Sequence, residues 1–376
     1  MTDIAIASTG SRQIAVASQW QLMWWAFRRH RLAMIGLGVT ILLYMIALVP
    51  GFFATNDPYQ QNGRAAYHPP QAIHFIDVDA SGSSWTLRPY FHPGRLTRDP
   101  ISLAAVYKPD TSRKVAISFF GEGYEYSVFG LFTSRRHLLA SSDPSQPLFL
   151  LGADRLGRCV WSRIMQGAQI SLSLGLVGVI LSLLIGVVIG GISGYYGGRI
   201  DFAVQRVIEF VLAIPNIPIW LALSAAMPHN WPATTQYFMI TVILSLTGWA
   251  QLARVVRGRF LSLRTEEFVT AARLDGCTEG RIIFRHMLPS FMSHIIASIT
   301  LAIPAMILAE TALSFLGLGL QPPTISWGVL LREAQNIRSI ATAPWLFAPG
   351  AIVVAAVMAL NLLGDGLRDA ADPYNK

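Results

Sequence analysis

Residues 270–290 read TAARLDGCTEGRIIFRHMLPS. The stretch is basic, helix-prone and amphipathic, yet it stands between two long apolar runs. Ala271 and Ala272, three further residues and then Gly276 lead into a basic helical segment that ends at Leu288-Pro289. Two short helices joined at a glycine make an elbow, because glycine enters the left-handed backbone region without a steric penalty. Pro289 suits the first turn of the next helix, where a missing N–H is harmless. Small residues let such an elbow seat closely against a partner. The runs on either side decide what kind of chain carries it.

Those runs are long. The 376 residues are 53% hydrophobic and 13% charged, against about 25% charged in an ordinary soluble domain. Much of the surface therefore faces lipid. A spanning helix needs about 20 mainly apolar residues, and six such stretches are predicted: Leu32 to Phe53, Ile170 to Ser193, Phe202 to Met227, Tyr237 to Val256, Phe291 to Leu316 and Trp345 to Leu363. The expected fold is an all-α membrane protein with six transmembrane helices. The first run is too long for a cleaved signal peptide, and no small-x-small site follows it.

The net charge of +8 rests on 29 basic residues. The arginines mostly flank apolar runs, which is membrane anchoring rather than the footprint of a nucleic-acid binder. Ahead of the first run, WQLMWWAFRRHR (20–31) mixes tryptophans with arginines, as an interfacial helix does, within an N-terminal tail of residues 1–31. Arg28, Arg29 and Arg31 precede the first run, and Arg199 and Arg206 fall between the second and third. Seven arginines, from Arg254 to Arg285, follow the fourth, whereas the loop from Pro228 to Gln236 has no Lys or Arg. This asymmetry predicts that both termini and the 258–290 loop are cytoplasmic.

Residues 54–150 form the one sizeable non-membrane piece and belong on the outer, periplasmic side. IHFIDV and SWTLRPYF flank a Gly/Ser-rich turn, and KVAISFF and YEYSVFGLF flank GEG. Both pairs read as hairpins. The result is a small β-rich insert with a thin core, expected to lean on the membrane part or on a partner. Its aromatics, Trp85, Tyr90, Phe91, Tyr124, Tyr126 and Phe129, read as that core or as a sugar-stacking surface. Residues 151–376 are then a five-helix unit.

Within that unit the second run carries small residues four apart: Gly178, Ser182, Gly186, Gly190, Gly194 and Gly198. Such a face lets another helix approach closely in lipid. Pro215 and Pro218, in AIPNIP, free backbone carbonyls and kink the third run. Glu209 and Glu310 are acidic residues inside runs, with a structural hydrogen-bonding role expected for each and Arg206 the expected partner of Glu209. Cys159 and Cys277 fall on opposite sides of the membrane and are not expected to pair. No metal-ligand pattern, His-Glu-x-x-His or Gly-x-Ser-x-Gly is present. None of the three lysines follows a glycine, so the chain has no phosphate loop for ATP and is expected not to be an enzyme.

The 270–290 stretch resembles the cytoplasmic EAA loop of ABC importer permeases. Ala271, Ala272, Gly276, Leu288 and Pro289 match that motif, with Thr270 where it has Glu and His286 where it often has Ile. LLGADRLGRCVWSRIMQGAQISLSLG, GYYGGRID, ETALSFLGLGLQPPTISWGVLL and LLGDGLRDAADP are similar, in the same order, to stretches of the dipeptide/oligopeptide permease family. Cys159 and the long insert depart from it. The resemblance implies a type I importer permease core and a multi-pass location in the bacterial inner membrane. It also implies a homologous second permease as heterodimer partner, two ATPase subunits carrying ATP and Mg, and a periplasmic substrate-binding protein. Glu266, Phe268, Ala271, Ala272, Leu274 and Gly276 would dock on the ATPase. Peptides are the expected cargo, with oligosaccharides, opines or nickel as alternatives. An ion-driven secondary transporter would show inverted repeats, and none is seen; a membrane-anchored scaffold is disfavoured by the kinked, glycine-rich runs.

Overall fold

The computed structural model describes residues 19–78, 85–98, 105–128, 130–228, 230–336 and 341–371. Residues 1–18, the Gly/Ser-rich turn at 79–84, Phe129, Arg338 and Lys376 lie outside the described residues, as does the side chain of Trp85. The described helices are α1 (Gln19–Arg29), α2 (Arg31–Leu48), α3 (Pro50–Phe53), α4 (Val160–Tyr196), α5 (Gly198–Ala213), α6 (Asn216–Ala225) and α7 (Ala233–Leu263). After these come α8 (Glu267–Leu274), α9 (Glu279–Arg281), α10 (Leu288–Ser290), α11 (Met292–Phe315), α12 (Trp327–Glu333) and α13 (Ala348–Ala371). Among the described residues, five helical segments are long and apolar enough to cross a membrane, or six when a bent pair is counted as one span.

The bent pair corrects the third predicted span. Instead of one kinked helix over Phe202 to Met227, α5 and α6 meet at 82°. The cause is local. Ile214 precedes a proline and is forced out of the helical region to φ −87°, ψ 126°. Pro215 then caps α6, and Pro218 sits in its first turn, where its missing N–H is tolerated. The first span also ends earlier than expected: α2 stops at Leu48, and Val49, ahead of Pro50, leaves the helical region before the single turn of α3. The second span begins earlier, since α4 runs for 37 residues from Val160.

The bundle core joins α2, α4, α7, α11, α12 and α13 through Leu43, Leu172, Leu244, Ile307, Trp327 and Leu360, among others. Along α4 the row of small residues faces α7. A Cβ on Gly186 would lie 3.1 Å from the Trp249 carbonyl oxygen, and one on Gly194 would lie 2.6 Å from Phe260 Cβ; Gly190 packs on the backbone of Ala253. Ser182 Oγ donates to the Ser245 carbonyl and Ser245 Oγ to that of Gly178, at 3.2 and 3.0 Å. Gly198 is not part of this row: with φ +57° it forms the turn into α5, and its Cβ position is open. Helix α1 buries Phe27 and leaves Trp20, Trp24 and Trp25 exposed.

The insert holds β1 (Ile73–Val78), β2 (Trp85–Phe91), β3 (Gly94–Arg98), β4 (Ala105–Pro109), β5 (Val115–Phe119), β6 (Glu122–Val128), β7 (Phe132–Arg136) and β8 (Leu139–Ser141). One antiparallel sheet has the order β1-β2-β5-β8, beside the two-stranded ribbons β3-β4 and β6-β7. The β1–β2 hairpin forms as expected. The second expected hairpin does not. β5 pairs with β2 and β8, while β6 pairs with β7. The chain leaves the sheet at Phe120, which has φ +53°, and turns again inside YEYSVFGLF, where Leu131 N bonds to the Val128 carbonyl and Gly130 has φ +70°. The core is thin, as its size dictates: Phe91, Val115, Ile117 and Leu148. The insert is tied to the helices by Thr55 N and Asn56 N, which both donate to Ser162 Oγ, at 3.2 and 3.0 Å.

Candidate functional site

The loop between α7 and α11 is a packed elbow. Glu266 opens α8 from an extended conformation, and its carbonyl accepts from the N–H groups of Val269 and Thr270. Val269 and Ala272 face inward and are buried; Phe268, Ala271 and Leu274 face out, with Leu274 84% exposed. Ala272 therefore packs within its own chain, not at the outer face that sequence reasoning assigned to it. Gly276 ends the helix at φ +72°. Its N–H bonds to the Arg273 carbonyl, and that of Cys277 to Ala272, the paired bonds of a Schellman stop. A Cβ at Gly276 would meet nothing within 4 Å, so the backbone angle alone requires glycine. Thr270, in the place of the motif's carboxylate, turns its hydroxyl back onto the Glu266 carbonyl at 3.2 Å.

The second arm of the elbow is a helix with a π-helical stretch, Ile282–Met287, between α9 and α10. Pro289 removes the donor that a regular helix would aim at the Arg285 carbonyl, and widened turns accommodate such a loss. Ile282 and Met287 join Val269 and Ala272 in an apolar cluster with Tyr195, Val256 and Phe260. Two polar contacts fasten the elbow to the end of α4. Tyr196 donates to Glu279 Oε2 at 2.6 Å, and the Arg273 guanidinium lies 5.3 Å from the Tyr195 ring centroid. Behind them, Arg257 of α7 makes a two-pronged pair with Asp201 of α5, which also accepts from Ser193.

Above the elbow lies a cavity of about 480 Å³ between α4, α6, α7 and α11. Its lining is mainly apolar, with Ser182, Asn216, Thr247, Gln251 and Ser298 as polar points. Trp220 donates to Thr247 Oγ1 at 2.9 Å along one wall. Glu310 is fully buried beyond it. Its carboxylate accepts from Ser314 and Ser326 at 2.8 Å and from Ser171 at 3.1 Å. Ser171 and Ser326 in turn receive the N–H groups of Trp327 and Val329 at the start of α12. Glu310 thus ties α4, α11 and α12 together, away from the elbow. Glu209 is instead on an exposed face, 2.7 Å from Arg206.

Sequence reasoning missed one cluster entirely. Arg163 Nη1 lies 2.6 Å from Asp154 Oδ2 and 2.5 Å from Glu333 Oε2. Arg158 pairs with the same two carboxylates at 2.7 and 3.0 Å. All four side chains are buried or nearly so, and they join the α4 start to α12. Burial acts on the Glu333 carboxyl first and raises it. The hydrogen bond from Arg163 and the charges of Arg163 and Arg158 outweigh that, holding it below its usual value. Asp154 and Arg158 lie four apart in a turn ahead of α4, not on a helix, so their spacing carries no helical signal. Among the described residues, no group of three or more His, Cys, Asp or Glu is placed to hold a metal ion, and Cys159 and Cys277 are both free.

Residues 186–375 match the family described as the binding-protein-dependent transport system inner membrane component, and residues 18–70 match the N-terminal TM domain of oligopeptide transport permease C. This chain belongs to that transport permease family. It is 35% identical to the oligopeptide transport system permease protein OppC of Bacillus subtilis, over 73% of this chain and 82% of that one. It is 39% identical to the dipeptide transport system permease protein DppC of the same organism, over 66% and 77%. A putative peptide permease protein of Brucella ovis is 40% identical over 59% and 72%. A solved structure described as an inward-facing MetNI methionine ABC transporter covers 55% of this chain and 95% of its own, at 18% identity and a TM-score of 0.41. That level of likeness supports no inference about this chain. The permease has the all-α membrane fold expected for an importer core, with the β-rich insert added.

Proposed function

We propose that this permease is one of two homologous membrane subunits of an ATP-driven peptide importer, fed by a periplasmic binding protein and worked by two ATPase subunits at the elbow. The inner membrane is its location, with both termini and the elbow cytoplasmic, a reading supported by the arginine asymmetry. The observation that carries the proposal is the two-sided build of α8. One face is buried against α4 and α7, and the other presents Phe268, Ala271 and Leu274 outward beside an open Gly276. A helix held on one side and bare on the other is suited to take a push from a partner. Tyr195, Tyr196, Arg273 and Glu279 pass that push to α4, whose Val179 and Ser182 border the cavity. Rigid-body rocking of packed helices then opens the cavity to one side or the other.

The test is Gly276→Trp in the assembled transporter, reconstituted in vesicles with its partner subunits and binding protein. The outward Cβ position is empty, so the chain is expected to fold and reach the membrane at the cost of left-handed strain, about 1–2 kcal/mol. Peptide uptake is expected to vanish, because the bulky ring occupies the docking face. Undiminished uptake would count against the site, and uptake by the purified chain without ATPase subunits would overturn the proposal as a whole.

A further inference from the structure

The insert carries large apolar side chains in an unusual place. At the turn of the β6–β7 ribbon, Leu131 is 77% exposed and Phe132 72%. At the other end of the ribbon Phe119 and Phe120 are also exposed. Phe120 holds φ +53°, a conformation that a bulky residue adopts only when its surroundings impose it. Neither pair contributes to the small core of the insert.

The ribbon is fastened to the end of the first span. The ring nitrogens of His137 face the Gly51 and Tyr124 carbonyls at 2.7 and 2.9 Å. Leu138 N donates to the Phe52 carbonyl at 2.7 Å. The Phe120 ring lies 6.1 Å from that of Phe52, and Tyr126 packs directly on Gly51. These contacts run along the ribbon from Phe120 to Tyr126, so it lies across the top of the span. Tyr126 is only two residues from the end of β6, and at about 3.3 Å per residue the turn is within roughly 15 Å of Gly51. The first span leads to this point with an exposed apolar stripe, Ile41, Leu42, Met45 and Leu48. Arg135 and Arg136 are exposed behind the tip, Arg135 paired with Glu125 at 2.8 Å.

We infer that the β6–β7 ribbon rests on the lipid bilayer, with Leu131 and Phe132 set into the interfacial layer. The apolar tip continues the exposed apolar stripe of the span, and the exposed Arg136 behind it suits the headgroup level. The insert is thereby held to the bilayer as well as to the helices. The inference does not depend on the direction of transport or on the cargo.

Spin labelling of the full chain in bilayer discs of phosphatidylethanolamine and phosphatidylglycerol tests it. Cys277→Ser removes the accessible thiol, Cys159 being buried. Labels are placed at Leu131→Cys and, separately, at Phe132→Cys, with Ser112→Cys on an exposed turn as the aqueous reference. Collision with oxygen, which concentrates in lipid, is compared with collision with a water-soluble nickel chelate. The ratio of oxygen to nickel accessibility is expected to be several-fold higher at the tip than at 112. A tip as open to nickel as the reference overturns the inference, as does a tip shielded from both reagents, which places it against protein instead.

Discussion

At the Val160 end, α4 is joined to α12 by four buried or nearly buried charged groups in mutual contact, whereas at the Tyr196 end it meets the elbow through an exposed tyrosine–glutamate hydrogen bond and an arginine over a ring. The first joint is largely enclosed, with Asp154 and Arg163 shut away from water. The second is open on its outer side and its polar partners can exchange with solvent. A helix built this way has one end committed to its neighbours and one end free to respond. The difference assigns rigidity to the insert side and responsiveness to the elbow side.

The comparison is broken most directly at Arg163. Arg163→Ala leaves Asp154 and Glu333 with Arg158 alone to offset them in a largely enclosed site, and loss of one member of a buried pair typically costs about 3–5 kcal/mol. Thermal unfolding in detergent is expected to shift sharply downward; a shift no larger than that of an elbow variant erases the contrast. Acid gives a milder version of the same test. The folded-state pKa of Glu333 is depressed, so its stabilising contribution is complete above the unfolded value, about 4.3, and is lost as pH falls through the folded one. Melting temperature is expected to drop over that acidic range, and Glu333→Gln to flatten the Glu333 part of the slope while lowering stability at neutral pH. Gly276→Trp sharpens the contrast from the other side, with little change in melting temperature and loss of uptake. The smallest effect belongs to Glu279→Ala, which removes the acceptor of the Tyr196 hydroxyl. Stability is expected to stay unchanged, while the number of peptides moved per ATP hydrolysed falls. An unchanged ratio means the Tyr196 contact carries no motion.

The spans and the elbow were legible because both rest on short-range rules. Apolar length marks a span, and an Ala-Ala pair with glycine four residues on marks a helix and its stop; Gly276 at φ +72° is what that spelling demands. The break at Ile214–Pro215 was half legible: two prolines announce a kink, but its 82° depends on how α6 packs beside α7. The second hairpin was misread because GEG carries the stronger turn signal, while the actual partners of β5 lie in β2 and β8, chosen by burial of Val115 and Ile117. The Arg163 cluster was invisible for a similar reason. Glu333 is 170 residues from Arg163, and an arginine near the edge of an apolar run reads as an anchor until tertiary structure encloses it. Ala272 could not be told from Ala271 without knowing which side of α8 the bundle covers.

The 37 residues of α4 imply a length of about 55 Å, against about 30 Å for the hydrocarbon layer it crosses. Roughly 25 Å of rod stands clear of the hydrocarbon, and with the Val160 end held a tilt of about 3° sweeps the Tyr196 tip through about 3 Å. Such a sweep is comparable to the margin between a bonded and a parted hydrogen-bond pair. A lever of this length therefore turns a few degrees of tilt at the charged joint into a displacement at the elbow wide enough to make or part a hydrogen bond.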